Sequence, residues 1–225
     1  MLRDPANIEA FWASDFNSVS FFKPEFANPT NNFPELVTIL EALCGTKKHK
    51  FGDKVLAFLQ RDNSKLLTEL LSFVHLSTDL LKTRDLAEWR VVPYLKAVAI
   101  LCKIIKQNAG TVKVISDVYT KWLPGRPVFN HAPPSFGKQS LVQGASSNPY
   151  ESLIRLICSS MNLQLMELKD FERSVTHCIE ALTSVLKLGS DEIKACVIAE
   201  LAKEVEHENS RPVPLILLNL RNFYQ

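Results

Sequence analysis

The stretch from Asn63 to Leu123 has the clearest helical pattern of apolar and polar positions in the chain. Apolar residues recur there at spacings of three and four, as on one face of a helix. Asn63 and Ser64 begin a first predicted helix with a broad apolar face. A second, over Asp85–Gln107, is apolar on nearly all sides, so we expect other helices to surround it. A third, short helix follows over Thr111–Leu123.

Residues near the ends of these helices match capping preferences. Asp85 and Glu88 have the spacing at which an N-cap oxygen and a later carboxylate satisfy each other's backbone groups. Gly110 suits the left-handed residue that often follows a helix. Pro93 lies inside the apolar pattern, where it predicts either a kink or a helix start near Trp89–Val92.

Residues 1–32 lack helical periodicity but are rich in aromatic side chains. Prolines and asparagines give this segment turn character, so we predict irregular structure. Because buried rings stabilise a fold, we expect the segment to pack on the first helices. The alternative is that four of its rings belong to a partner-binding surface: Phe11, Trp12, Phe21 and Phe22.

A basic cluster follows the first helix of the next segment. Asn32-Phe33-Pro34-Glu35 predicts that helix's start, and Gly45 its end. The cluster comprises Lys47, Lys48, His49, Lys50 and Lys54. It is typical of a solvated loop, with contact to nucleic acid or an acidic partner as the alternative. Only Phe51 interrupts it, so the aromatic platform of a single-strand binder is missing.

The helical pattern stops between residues 124 and 147. Prolines and glycines there exclude a regular helix or a central strand. Loops of this length are uncommon inside compact domains, so we interpret it as a passive linker or as a partner-recruiting segment. Three residues near its start are further candidates for partner binding: Trp122, Arg126 and Phe129.

Helical patterns resume over residues 148–225. Asn148-Pro149-Tyr150-Glu151 predicts the first start, and Ser190 caps a later helix with Asp191 and Glu192 in its first turn. The predicted buried side of that helix is Ile193, Cys196, Val197, Leu201 and Val205, and the predicted polar side is Glu200, Lys203, Glu204 and Glu206. The chain thus divides into residues 1–32, 33–123, 124–147 and 148–225, which we expect to form one continuous domain.

The segment Ala181–Ala202 resembles the core of a HEAT or armadillo repeat. It joins a helix rich in alanine and leucine to a second helix through the short acidic turn Gly189–Ile193. In the second helix, Ala195, Ala199 and Ala202 take the small positions that let neighbouring helices pack closely. The resemblance implies an all-α, antiparallel helix stack of the α-solenoid type, and partner binding as its usual role.

Composition narrows the classes of function. Lysine and arginine total 26 against 24 acidic residues, and a net charge of +2 does not favour a strongly nucleic-acid-binding surface. No apolar run reaches the roughly 18–20 residues of a membrane span. The five cysteines are odd in number and far apart, which is typical of buried thiols in a reducing compartment, cytoplasm or nucleus.

Motifs for catalysis are missing from the sequence. It contains no glycine-rich phosphate loop and neither Cys-x-x-Cys nor His-Glu-x-x-His. His177 and Cys178 are neighbours on a helix and should not face each other. We therefore expect no cofactor or metal, and a non-enzymatic module that presents a helical surface to a peptide or helix of another protein. The alternative is nucleic-acid binding through Lys47–Lys54. An unrecognised helical enzyme is a third reading, which a large polar pocket would favour.

Overall fold

A computed structural model describes residues 4–13, 33–45, 50–83, 85–123, 148, 150–161 and 169–205. These residues form nine α-helices and no strand, which confirms the all-helical class. In chain order the helices are α1 (Pro5–Ala13), α2 (Phe33–Leu43), α3 (Gly52–Leu59), α4 (Arg61–Lys82), α5 (Glu88–Gln107), α6 (Thr111–Trp122), α7 (Glu151–Met161), α8 (Lys169–Leu188) and α9 (Asp191–Val205).

Helix α5 lies at the centre of the fold. Helices α2, α3, α4, α6 and α8 all pack against it, as its apolar circumference predicts. Tyr94, Ile100 and Ile104 of α5 are completely buried. Its most extensive contact is with α8, which comes after residues 124–147 in the chain. Helices from both sides of that segment therefore share one core.

The remaining helices of the second half complete this core. Helix α7 packs against α4 and α6, and α9 packs against α7 and α8. Leu70 of α4, Leu153 of α7, Leu182 of α8 and Val197 of α9 are completely buried in the same apolar cluster. In the described part of the chain, no helix is both long enough and apolar enough to cross a membrane.

Pro5–Ala13 forms helix α1, where irregular chain was expected. The Ala6 N–H donates to the Asp4 carboxylate at 3.1 Å, which caps the helix, and Pro5 has no N–H to satisfy. Ile8 is buried, and the Trp12 ring lies edge-on to Phe58 of α3 with centroids 6.1 Å apart. Helix α1 therefore contacts α3 through its apolar side.

Two of the predicted caps around α5 are wrong. The helix begins at Glu88 with Ala87 as its N-cap and no capping side-chain hydrogen bond, so Asp85 does not form the predicted capping pair. Gly110 has a φ of −63° and is the N-cap of α6. Helix α5 instead ends through extended Asn108, whose carbonyl accepts the Thr111 hydroxyl at 2.7 Å.

The glycine cap predicted at the end of α2 is confirmed. Helix α2 ends at Leu43, and Gly45 has a φ of 79°. The Gln107 side chain of α5 joins Cys44 to Gly52. Its amide accepts the Gly52 N–H at 2.6 Å and donates to the Cys44 carbonyl at 3.0 Å.

The first turn of α4 contains two consecutive left-handed residues, Asn63 and Ser64, with φ values of 58° and 61°. The sequence pattern began the helix at these residues, whereas the structure begins it at Arg61. A side chain with a Cβ is strained in this region, by about 1–2 kcal/mol. Glycine has no such strain.

We therefore expect Ser64→Gly to raise the free energy of unfolding by about 1 kcal/mol, because glycine removes the strain at this left-handed position. Ser64→Ala keeps the Cβ and should give no gain. Urea titration of both variants beside the wild type measures the difference. A glycine variant less stable than the alanine variant would show that the left-handed turn is not strained.

Candidate partner-binding surface

One face of α9 packs into the protein. Ile193, Cys196, Val197 and Leu201 are buried, as the sequence pattern predicts. Glu200 was predicted to lie on the polar side, but only 3% of it is exposed, so that prediction was wrong. Position 197 lies four residues after 193, and position 200 lies three residues after 197. This helical spacing is the signal that places Glu200 on the buried face.

Glu200 is buried because two cations surround its carboxylate. The Arg155 Nε of α7 lies 3.3 Å from its Oε2, and Lys203 donates to its Oε1. Glu151 also pairs with Arg155. Although burial alone would lower the pKa of Arg155, its hydrogen bond and attraction to Glu200, together with Glu151, raise it. These ion pairs fix α9 on α7.

The opposite face of α9 exposes an apolar stripe. Ile198 is 60% exposed, and the alanines around it are exposed as well. Spacings of three and four align these positions along the helix. Leu188, just before α9, is 75% exposed. We call the row of exposed apolar positions on α9 the α9 stripe, and its members are Ala195, Ile198, Ala199 and Ala202.

The α9 stripe differs from what the repeat resemblance implies for its alanines. Ala195, Ala199 and Ala202 were expected at close contacts between helices, and all three are exposed. The first turn of α9, at one end of the stripe, carries two exposed acidic residues, Asp191 and Glu192. Asp191 has a contact of 3.4 Å with Lys194 of its own helix. The stripe thus combines an apolar centre with a negatively charged end.

The aromatic residues predicted to bind a partner are part of the fold where the structure describes them. Phe11, Trp12 and Trp122 are half-buried and pack against the core. Trp12 contacts α3, whereas Trp122 stacks on Tyr119 at 6.0 Å and lies edge-on to His75 of α4 at 5.3 Å. These rings do not form one surface. The other predicted residues lie outside the described residues: Phe21, Phe22, Arg126 and Phe129.

The basic cluster is described only in part, since Lys47, Lys48 and His49 lie outside the described residues. Lys50 and Lys54 are exposed, and the Lys54 Nζ lies 5.5 Å from the Phe51 ring centroid. Asp53 is exposed beside Lys54 and accepts a hydrogen bond from the Asn108 amide at 3.1 Å. A carboxylate at this place weakens the positive potential that a phosphate backbone would meet.

A polar cleft lies between α4, α6 and α7, with a volume of about 30 Å³. His75 hydrogen-bonds to the Tyr119 hydroxyl, and its Nε2 lies 3.4 Å from Asp79. Lys82 donates to the Ser159 hydroxyl across the cleft at 3.3 Å. This volume accommodates about one to two water molecules, not an organic substrate. Elsewhere in the described chain, no three His, Cys, Asp or Glu side chains are arranged to hold a metal ion.

Comparison with known protein families, curated proteins and solved structures finds no match for this chain. The resemblance of Ala181–Ala202 to a HEAT or armadillo repeat therefore depends on those residues alone.

Proposed function

We propose that the protein is a non-enzymatic interaction module that binds an amphipathic helix of another protein along the α9 stripe. The observation that supports this most is the exposure of Ile198 at 60%. Apolar surface removed from water contributes about 25 cal/mol per Å². A partner that covers Ile198 gains that free energy, and α9 loses nothing of its inner packing.

The shape of the stripe favours a helix as the occupant. Alanine at positions 195, 199 and 202 leaves room on both sides of Ile198, so the axis of a second helix can approach closely. An amphipathic helix recognised in this way presents apolar residues at spacings of three and four. In the α-solenoid that the resemblance implies, a further helix would occupy this same face, and the partner's helix takes its place.

The charges at the two ends of α9 favour one orientation of the partner's helix along the α9 stripe. The exposed carboxylates of Asp191 and Glu192 favour a lysine or arginine on the partner near that end. Lys203, at the other end, is already paired with Glu200 and Glu151. All five cysteines are buried thiols, which fits a protein in a reducing compartment inside the cell.

Ile198→Asp should weaken partner binding at least about tenfold, because a charge would enter an apolar contact worth more than 1.4 kcal/mol. A photo-reactive side chain at position 198 is cross-linked to the bound partner, and mass spectrometry of the product identifies the partner peptide. That peptide, made synthetically, is then titrated against the wild type and the variant. Ile198→Asp should remain folded by circular dichroism, because position 198 is exposed.

The matched control places the same probe and the same aspartate at Lys113, an exposed position on α6. We expect no specific cross-link from position 113 and no loss of affinity in Lys113→Asp. Equal cross-linking from both positions, or unchanged affinity in Ile198→Asp, would reject the α9 stripe. Binding of nucleic acid through Lys50 and Lys54 would instead show a steep loss of affinity with salt.

A further inference from the structure

Two buried thiols meet where the central helices α5 and α8 pack together. Cys102 of α5 and Cys178 of α8 are both completely buried, and their Sγ atoms are 3.6 Å apart. The residues are 76 positions apart in the chain, on either side of residues 124–147. This pair is independent of the α9 stripe and of its proposed partner.

We propose that Cys102 and Cys178 form a disulfide when the protein meets a low-molecular-weight disulfide, and that this bond joins the two halves of the chain. A disulfide bond is about 2.05 Å long, so the sulfur atoms, 3.6 Å apart, must approach by about 1.6 Å. The two side chains share that movement.

The reaction is a thiol–disulfide exchange in two steps. The thiolate of one cysteine attacks a sulfur of the small disulfide, which forms a mixed disulfide and releases one small thiol. The thiolate of the other cysteine then attacks the protein's sulfur in that mixed disulfide and releases the second small thiol. In total the protein loses two protons and two electrons, and the small disulfide is reduced to two thiols.

Packing of α5 against α8 controls the rate of this reaction. The hydrogen bond with Cys102, together with burial, raises the pKa of Cys178 well above its ordinary value, so the reactive thiolate is scarce. A small disulfide also cannot reach a completely buried sulfur. The first step must therefore follow an opening of the α5–α8 contact, and it should be slow in buffer and faster in mild denaturant.

The closed bond should stabilise the fold, because it links positions that are far apart in the unfolded chain. The other thiols provide internal controls, since Cys44, Cys158 and Cys196 are buried as well. Burial raises the pKa of Cys44 to about 12, so burial alone does not single out the proposed pair. What does single it out is the short distance between its sulfur atoms.

The test is to incubate the whole protein with glutathione disulfide in urea well below the unfolding midpoint, and to map disulfides in tryptic peptides by mass spectrometry. We expect the Cys102–Cys178 cross-link as the main product. We also expect an upward shift of the unfolding midpoint that a reductant reverses. Cys102→Ser and Cys178→Ser should each lose both effects, whereas Cys44→Ser should keep them.

Three results would overturn the proposal. They are cross-links chiefly to the other cysteines, glutathione adducts without a cross-link, and a cross-linked protein less stable than the reduced one. If a serine variant does not fold, Cys102→Ala and Cys178→Ala replace it, because alanine leaves no buried hydroxyl without a partner.

Discussion

Leu182→Ala is expected to lower the free energy of unfolding by about 3–4 kcal/mol, because it leaves a cavity in a closely packed core. Leu182 of α8 is completely buried in the apolar cluster that α8 shares with α5. Loss of these methyl groups should therefore weaken helices from both sides of residues 124–147.

Urea titration followed by circular dichroism measures this loss of stability. Leu188→Ala is the matched control, since it makes the same change on the same helix at a position that is 75% exposed. It should change the free energy of unfolding by less than about 0.5 kcal/mol. Hydrogen exchange should show lower protection in α5 and α8 together, and a loss of protection confined to α8 would contradict a shared core.

Glu200→Ala should lower the free energy of unfolding by about 2–4 kcal/mol. The substitution removes a carboxylate that is 3% exposed and leaves the Arg155 guanidinium half-buried beside α9. Glu151 still pairs with Arg155, and the side chain of Arg155 is 30% exposed, so the cost stays below that of an isolated buried charge.

Thermal and urea unfolding of Glu200→Ala should be compared with Glu192→Ala, which removes an exposed carboxylate from the same helix. A second comparison replaces the pair with apolar residues, Arg155→Met with Glu200→Leu. This double variant should recover most of the stability, because well-packed apolar side chains replace buried ion pairs at little cost. Equal stability of Glu200→Ala and Glu192→Ala would show that the ion pairs contribute nothing.

The helical class and the central place of α5 could be predicted from sequence because both depend on local periodicity. An apolar pattern around a whole helix indicates neighbours on all sides, as the burial of Tyr94 and Ile100 shows. The same periodicity separates His177 from Cys178. In the structure, the His177 Nδ1 lies 3.5 Å from Glu180, whereas Cys178 meets Cys102.

Helix ends and exposed faces were harder to predict because tertiary contacts decide them. Asp85 and Glu88 have suitable spacing for a capping pair, yet the backbone enters α5 through Ala87. Glu200 has the spacing of the buried face of α9 but carries a charge, and its burial depends on ion pairs with Lys203 and with Arg155 of the distant α7. The helical spacing of the buried residues of α9 leaves Ile198 on the opposite face, but whether another helix covers that face depends on tertiary packing.

The pairing of α5 with α8 has a consequence for the order of events during synthesis. The ribosome completes α5 at Gln107 well before it adds Lys169, the first residue of α8. Until then the apolar side that α8 later covers faces water, in a state prone to aggregation. A chaperone that binds exposed apolar helices should therefore engage the nascent chain in that interval and leave once α8 emerges.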